Sequence, residues 1–412
     1  MFGILKIASR NLMRYSRRTA LTVSLIVIGV VFVSVFVSIS GSFKNMMISQ
    51  ITDSMTGHVQ VHRKGYMGAV ETLPQNMNIK LMGLDRFDNA LKDISGVEAI
   101  SERIKFGGMF STFTETSNIR LNGIDPEKEY KVVPLLPARI LEGSKDLKRG
   151  EIIIPRLFAN SMKVKVGDTV VVVASNKDGS VNGKQLKVSG IVESATGPGG
   201  RDGYVHIEDA SEILRMDIPE ISEIAIRIKD FDKLHEFEAA LTERLSKELN
   251  KKGLPMFDVH TWEKLSPFYN IARMIDMMTL FVKILLVAVV LISVLNVMMM
   301  AVYERTREIG TAAAIGTRPS KILLLFLSEG LMMGIIGAGL GAAISIAAVY
   351  LINLKKITFN FGMQKGIILS ASVDYKQLAV ISLTVISVAL LATLLPAIKA
   401  SGTEPVNALR HI

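Results

Sequence analysis

The chain has 412 residues, of which 49% are hydrophobic and 21% charged, with a formal net charge of +10 and no cysteine. This mixture predicts membrane spans joined to a water-soluble part. The lack of cysteine excludes a disulfide framework, a thiolate metal site and a cysteine nucleophile. The positive charge lies beside the first apolar run rather than in a separate basic module, which argues against a nucleic-acid partner.

Residues 1–19 predict an amphipathic helix that lies in the membrane interface. The basic side chains of this segment are Lys6, Arg10, Arg14, Arg17 and Arg18. They would face anionic lipid headgroups. Residues 20–41 carry no charge and are long enough to cross a bilayer as a helix, so we assign them as the first span. A cleavable secretory signal is the alternative, and the length of the apolar part favours an uncleaved anchor.

Residues 42–276 are predicted to form two stalks and a mixed α/β domain outside the membrane. Alternating apolar and polar residues predict strands at His58–His62, Gly96–Ile104, Ile119–Gly123, Glu151–Ile154, Gly167–Val173, Gln185–Glu193 and Ile221–Ile228. Helical patterns occur at Arg86–Asp93 and Phe231–Asn250. We expect a strand-rich insert near residues 150–210, separate from a part that contains the helices.

A second apolar run, residues 277–302, is followed by a polar segment, residues 303–321. The polar segment combines charged residues with good helix formers. Gly316 is placed to cap a short helix, and Pro319 to begin the next one. This pattern predicts a short charged helix that connects the second and third spans. A force applied to this helix from outside the membrane would be transmitted to both spans. An ordinary interfacial loop is the alternative.

Two further apolar runs complete the membrane part, at residues 322–354 and 378–398, joined by a short loop at residues 355–377. Small residues recur on one face of the third span, where they would let another helix approach closely. These residues are Gly330, Gly334, Gly337 and Gly341. The partner helix can belong to this chain or to a second copy.

The short segments decide the predicted orientation. Residues 1–19, 303–321 and the 399–412 tail together contain eleven Lys and Arg, against four in the 355–377 loop. By the positive-inside rule, both termini and the 303–321 segment are then cytoplasmic, and the large domain lies on the far side.

The sequence predicts no catalytic residue, no metal site and no bound cofactor. The glycine-rich segment Gly197–Gly203 lacks the ending of a phosphate-binding loop. His58 and His62 are too few for a metal site and are expected on the polar face of a strand. Lys283 and Glu329 lie within spans, where both a functional role and snorkelling to the nearer surface remain open.

Methionines are concentrated at the ends of the first two spans that adjoin the large domain. Because methionine adapts to varied apolar shapes, these helix ends can form a cleft for acyl chains or hydrophobic peptides. The candidate cleft residues are Phe43, Met47, Ile51, Met274, Met277, Met278 and Phe281. Plain packing of the two stalks is the alternative.

Three segments resemble the FtsX/MacB-type permeases of ATP-driven transporters. They are RNLMRYSRRTALT at Arg10–Thr22, YERTREIGTAAAIGTRPSKI at Tyr303–Ile322, and LLPAIKASGTEPVNALR at Leu394–Arg410. The order of parts is also similar. The resemblance implies a membrane α-helical protein with four transmembrane helices and a large extracytoplasmic mixed α/β domain inserted between helices 1 and 2.

The resemblance also implies partners. A second permease copy or paralogue and a dimeric cytosolic ABC ATPase would join this chain, with ATP and Mg on the ATPase, so the chain itself would not be an enzyme. Residues 303–321 would be the coupling helix seated on that ATPase. Its implied contact residues are Tyr303, Glu304, Arg305, Arg307, Glu308, Gly310 and Gly316.

Within the family, the chain length and the lack of a fused ATPase look most similar to the lipoprotein-releasing (Lol-type) permeases. We therefore expect a multi-pass protein of the bacterial inner membrane that releases or transfers a lipidated or amphiphilic substrate. Membrane lipid, a lipoprotein and a periplasmic adaptor are further candidate partners. The alternatives are MacB-like efflux of drugs or peptides, FtsX-like regulation of a cell-wall hydrolase, and a membrane-anchored enzyme. The substrate, the direction of transport and the identity of the second permease stay open.

Overall fold

A computed structural model describes residues 2–92, 94–193, 202–218, 220–250, 252–356, 358–361, 364–368 and 370–404. The chain divides into two compact units. We call residues 1–44, 273–359 and 368–412 the helical unit, and residues 45–272 and 360–367 the sheet unit. Most of the predicted glycine-rich loop (residues 194–201) and the end of the tail (residues 405–412) lie outside the described residues.

The α-helices are numbered in chain order. They are α1 (Phe2–Arg14), α2 (Ser16–Ile51), α3 (Leu81–Leu91), α4 (Pro126–Val132), α5 (Arg156–Ser161), α6 (Ile207–Ile213), α7 (Leu234–Ser246), α8 (Trp262–Leu265), α9 (Tyr269–Glu304), α10 (Thr306–Ala314), α11 (Pro319–Leu354) and α12 (Tyr375–Ser401). Within the described ranges, four helices are long and apolar enough to cross a membrane, namely α2, α9, α11 and α12. The predicted fold class, four membrane helices with an α/β domain between the first two, is confirmed.

The helical unit is packed around the glycine face of α11. A Cβ atom added to Gly330 would lie 2.1 Å from Thr393 Cγ2 on α12, so only glycine permits this approach. Farther along, a Cβ on Gly337 would meet Ile26 Cγ2 of α2 at 2.6 Å. Gly334 and Gly341 make the corresponding approaches to α12 and α2. The small-residue face therefore receives two helices of this same chain.

The β-strands are β1 (Val59–Arg63), β2 (Val97–Ser111), β3 (Thr116–Ile124), β4 (Ile140–Gly143), β5 (Glu151–Pro155), β6 (Thr169–Ser175), β7 (Val181–Val192), β8 (Asp202–His206), β9 (Glu223–Ile228), β10 (Phe257–Thr261), β11 (Thr358–Phe361) and β12 (Gln364–Ile368). Strands β1 to β10 form one sheet in the order β10-β1-β9-β2-β3-β8-β5-β7-β4, with β6 paired to β2 and β7. The predicted strands are all present, with shifted ends.

The sheet unit differs from the predicted division into a strand-rich insert and a helix-containing part. The reason is β2, which has 15 residues and runs well past the predicted end at Ile104. Its first half pairs with β9, while its second half pairs with β3 and, at the end, with β6. One strand thus joins both regions into a continuous sheet.

Candidate functional site

The polar segment between α9 and α11 folds into a short helix with defined ends. Helical geometry breaks at Arg305 (φ −102°, ψ 12°), and α10 begins at the next residue. At its far end Thr317 N–H donates to the Ala312 carbonyl, and Gly316 N–H to the Ala313 carbonyl, each at 3.0 Å. Gly316 takes the left-handed conformation (φ 91°) that this capping motif requires. Pro319 opens α11, so the predicted cap and restart are confirmed.

A buried polar cluster joins this segment to α1 and α11. Glu329 on α11 is 2% exposed. Its Oε1 accepts hydrogen bonds from Arg305 Nη1 at 2.9 Å and from Asn11 Nδ2 at 2.7 Å. The Arg305 guanidinium also lies 4.3 Å from the centroid of the Tyr15 ring. Glu329 is therefore paired inside the helical unit rather than extended to its surface.

Contacts between less buried side chains surround that cluster. Arg18 Nη1 lies 2.7 Å from Glu304 Oε2, and Arg14 Nη1 lies 3.4 Å from Glu308 Oε1. Lys399 Nζ, near the end of α12, donates to Tyr303 Oη at 2.6 Å. These contacts tie the two ends of the chain's helical unit to the segment around α10. The other charged residue predicted within a span, Lys283, donates to Gln377 Oε1 at 3.4 Å.

One face of α10 is buried and the opposite face is exposed. Of the predicted coupling residues, Arg305 and Gly310 are buried, whereas Tyr303, Glu304, Arg307, Glu308 and Gly316 are exposed. Sequence reasoning missed Ile315, whose side chain is 81% exposed. It is the first residue after α10, at the C-cap of that helix. A large apolar residue directly before the capping Gly316 was the available signal.

The predicted cleft residues are divided between the two units. Met274, Met277, Met278 and Phe281 share one exposed face of α9 in the helical unit, and Phe43 is half-buried in the same unit. Met47 and Ile51 belong to the sheet unit, where both are completely buried in its apolar core. Core packing alone accounts for the apolar character of those two residues.

The sheet unit contains a second charged cluster, which the sequence did not indicate. Arg103 on β2 bonds to Glu129 at 2.7 Å and to Glu223 at 2.9 Å, and Lys105 Nζ lies 2.7 Å from Glu223 Oε2. Burial by itself raises the pKa of Glu223. Lys105, His62 and Arg103 outweigh it and hold that pKa well below the ordinary glutamate value.

His62 on β1 and His58, which directly precedes that strand, are both buried, although the sequence predicted them on the polar face of a strand. The physical reason is that β1 lies between β10 and β9 and is covered on both faces. His62 Nε2 lies 3.4 Å from Glu223 Oε2, and its ring stacks on Tyr66 at 5.1 Å. His58 Nδ1 accepts the Ile228 N–H at 3.2 Å. Both histidines therefore act as polar core residues.

Comparison with known proteins gives two family matches. Residues 19–244, more than half of the chain, match the model of the MacB-like periplasmic core domain. Residues 280–405 match the FtsX-like permease C-terminal model.

Individual relatives agree with these matches. The lipoprotein-releasing system transmembrane protein LolC of Neisseria meningitidis serogroup B is 24% identical, over 95% of this chain and 94% of that protein. The macrolide export ATP-binding/permease protein MacB 2 of Aeromonas hydrophila subsp. hydrophila is 26% identical, over 87% of this chain and 54% of that protein. Among solved structures, the periplasmic region of MacB from Actinobacillus actinomycetemcomitans is 14% identical with a TM-score of 0.37, and the match covers 51% of this chain and 91% of that one.

The architecture agrees with the family matches part by part. The first model covers most of α2 and most of the sheet unit, and the second covers most of α9 and all of α10, α11 and α12. The chain therefore belongs to the MacB/FtsX family of ABC transporter permeases, as a multi-pass inner-membrane protein with an α/β domain between its first and second membrane helices.

Proposed function

We propose that this chain is a permease subunit that relays the motion of a separate cytosolic ABC ATPase to the α/β domain across the membrane, and that this motion releases or transfers a lipoprotein or another lipidated substrate. The observation that carries the proposal is the attachment of α10. Its segment is held by a buried bond from Arg305 to Glu329 on α11, while its opposite face is open.

The attachment explains how a push is transmitted. Only Arg305 separates α10 from α9, and a capped turn of a few residues separates it from α11. A displacement of α10 must therefore move both membrane helices, whereas a flexible loop would absorb it. Ile315, the exposed residue that directly follows α10, supplies an apolar contact point for the ATPase.

The proposed substrate rests on two observations. The relative named as a lipoprotein-releasing protein matches this chain along nearly the full length of both proteins. The exposed apolar face of α9, formed by Met274, Met277, Met278 and Phe281, has the adaptable surface that suits acyl chains. A second permease, identical or paralogous, would complete the transporter.

Efflux is the second candidate function. It is favoured by the macrolide-export relative, which matches 87% of this chain. The two functions differ in where the substrate starts and ends. Lipoprotein release takes an acylated protein out of a bilayer, whereas efflux moves a small solute across it.

Reconstitution separates the two candidates. The full chain, co-purified with its ATPase and any second permease, is placed in proteoliposomes that carry a radiolabelled triacylated lipoprotein. We expect ATP-dependent appearance of the lipoprotein in the soluble fraction when an acceptor protein is supplied. ATP-dependent accumulation of a macrolide or peptide, with the lipoprotein retained in the membrane, would favour efflux instead.

The coupling role gives a sharper prediction. We expect Ile315→Glu, Glu308→Ala and Gly310→Leu to lower substrate-stimulated ATP hydrolysis at least about tenfold, the scale set by loss of a central interface contact. The matched control is Ile218→Glu, which makes the same change at an exposed position of the sheet unit. The measurement is ATP hydrolysis per complex, alongside the amount of ATPase that co-purifies. Unchanged coupling in all three variants would remove α10 from its assigned role.

A further inference from the structure

The sheet unit contains a cavity of about 330 Å³, lined by both charged and apolar side chains, that the transport proposal does not use. Side chains from one face of neighbouring strands line it, including His62 on β1, Arg103 on β2 and Tyr204 on β8. Arg120 and Glu71 mark its rim, because both are exposed and they form an ion pair at 2.9 Å. The volume lies within the range of small-molecule sites.

Most charged groups of this cavity have partners. Arg103 is bonded to Glu129 and Glu223, and Lys105 is paired with Glu223. Glu193, which also lines the cavity, lies 3.4 Å from Arg156. The buried charges that hold the sheet together are thus already neutralised by their neighbours.

Two charged side chains of the lining, Asp202 and Arg139, form no hydrogen bond or ion pair within the described part of the chain, and Arg139 is the cation of the two. Its side chain lines the cavity and is 5% exposed, yet its guanidinium forms no hydrogen bond or ion pair with any residue that the structure describes. Its Nε atom is fully buried and lacks an acceptor. Arginine stays charged in proteins, and buried charges are normally paired because desolvation is costly. A guanidinium held in this way is complementary to a ligand that brings its own negative charge.

Neighbouring groups suit the same ligand. The Tyr204 phenol lines the cavity, and burial together with nearby carboxylates raises its pKa, so its O–H stays available to donate. The Nδ1 atom of His62 is buried and has no partner among the described residues. Leu136 and Val192 add apolar surface to the lining. A small organic ligand that carries one anionic group would match these polar and apolar side chains.

We propose that this cavity binds a small organic anion whose carboxylate or phosphate group pairs with Arg139. The bidentate fork of a guanidinium fits either group. The cavity is far too small for a lipoprotein, so the ligand is not the transported substrate. The site adds a ligand-binding role to the α/β domain that is independent of the coupling segment.

The test uses the full chain in detergent and compares its thermal unfolding in sodium phosphate, sodium acetate and sodium chloride at equal ionic strength. A ligand that binds only the folded state stabilises it by RT ln(1 + L/Kd), where L is the free ligand concentration, so the unfolding midpoint rises with ligand concentration. For the wild type we expect a concentration-dependent rise in phosphate or acetate beyond that in chloride. The stronger of the two anions identifies the ligand as a phosphate ester or a carboxylate.

Two variants and a control make the result specific. We expect Arg139→Gln to weaken the apparent affinity at least about tenfold, as loss of a charge-assisted pair does, and Arg139→Lys to weaken it less. In chloride, Arg139→Gln should be at least as stable as the wild type, because it removes an unpaired buried charge. Arg120→Gln, at the rim, should keep wild-type affinity. The proposal fails if the wild type responds identically to all three salts, or if both Arg139 variants retain its response.

Discussion

Glu223 lies where Arg103, Lys105 and His62 converge inside the sheet unit. The carboxylate is fully buried, so its charge is tolerable only because these neighbours surround it. Removing that charge would leave Arg103 and Lys105 incompletely compensated in a medium of low polarity. The cluster therefore sets a large part of the stability of the surrounding strands.

We expect Glu223→Gln to lower the free energy of unfolding of the sheet unit by about 3–5 kcal/mol at neutral pH, because it keeps the shape of the side chain but breaks a buried ion pair. The measurement is denaturant unfolding of the full chain, followed by the fluorescence of Trp262. The control is Glu71→Gln, which breaks an exposed pair and should cost less than about 1 kcal/mol.

The same carboxylate gives a pH dependence. The folded-state pKa of Glu223 is depressed below the ordinary value of 4.5, so its contribution to stability is complete above that pH. The contribution is lost as the pH falls from 4.5 towards the folded-state pKa. Glu223→Gln should lack this component, and an equal acid dependence in both proteins would contradict the assignment.

The sequence could not reveal this cluster. On β2, Arg103 and Lys105 alternate with the buried Ile104 and Phe106, a pattern typical of a strand with one face in water. The groups that pair with Arg103 are Glu129 on α4, 26 positions later in the chain, and Glu223 on β9, 120 positions later. Whether a polar face is buried depends on its tertiary neighbours. The alternation of residues along one strand does not reveal those neighbours.

At the scale of elements, we expect the ion pair between Arg305 and Glu329 to contribute a measurable coupling energy between the α10 segment and α11. We predict that each single substitution, Arg305→Met or Glu329→Met, is more destabilising than the double substitution, because each leaves one buried charge without its partner. A thermal-unfolding cycle on the full chain should give a coupling energy of at least about 1 kcal/mol.

The exposed pair Arg14–Glu308 supplies the comparison cycle, because both side chains are more than half exposed. Its coupling energy should fall below about 1 kcal/mol. If the buried pair gave no more than the exposed pair, the bond would not anchor α10. ATP hydrolysis by the double variant would then show whether charge or packing transmits the motion.

Element boundaries around α10 were accessible from sequence because their causes are local. Gly316 and Pro319 act within one turn of the helix ends that they define. The partners of Glu329 were not accessible, because Asn11 lies more than 300 positions earlier in the chain. A carboxylate in an apolar helix signals that some partner exists, without identifying it.

At the scale of the whole molecule, orientation is the property to establish, and the cysteine-free sequence makes it measurable. We expect Phe113→Cys, at a position 70% exposed in the sheet unit, to react with a membrane-impermeant maleimide in intact spheroplasts. Ile315→Cys should react only after the membrane is permeabilised. The physical reason is the excess of Lys and Arg in the short segments on the side of α10.

The wild-type chain is the labelling control, since it offers no thiol. Reaction of both variants in intact spheroplasts would show that the reagent crosses the membrane. Reaction of Ile315→Cys alone would reverse the orientation, and with it the proposed side on which an ATPase docks.

The sequence predicted the membrane helices better than the sheet. An apolar run long enough to span a bilayer is complete in itself, so α2, α9, α11 and α12 could be located singly. Sheet order depends instead on pairs such as β3 with β8 and β1 with β10, whose members are distant in the chain. No local pattern specifies such partners.

The length of β2 has a mechanical consequence. On one edge this strand is bonded first to β9 and later to β6, and on the other edge to β3, so both flanks of the sheet share a single backbone. Backbone hydrogen bonds resist shear along a strand far better than a linker resists bending. We therefore expect the two flanks to rotate as one rigid body. A small rotation near β1 would then produce a larger displacement at the β6–β7 hairpin.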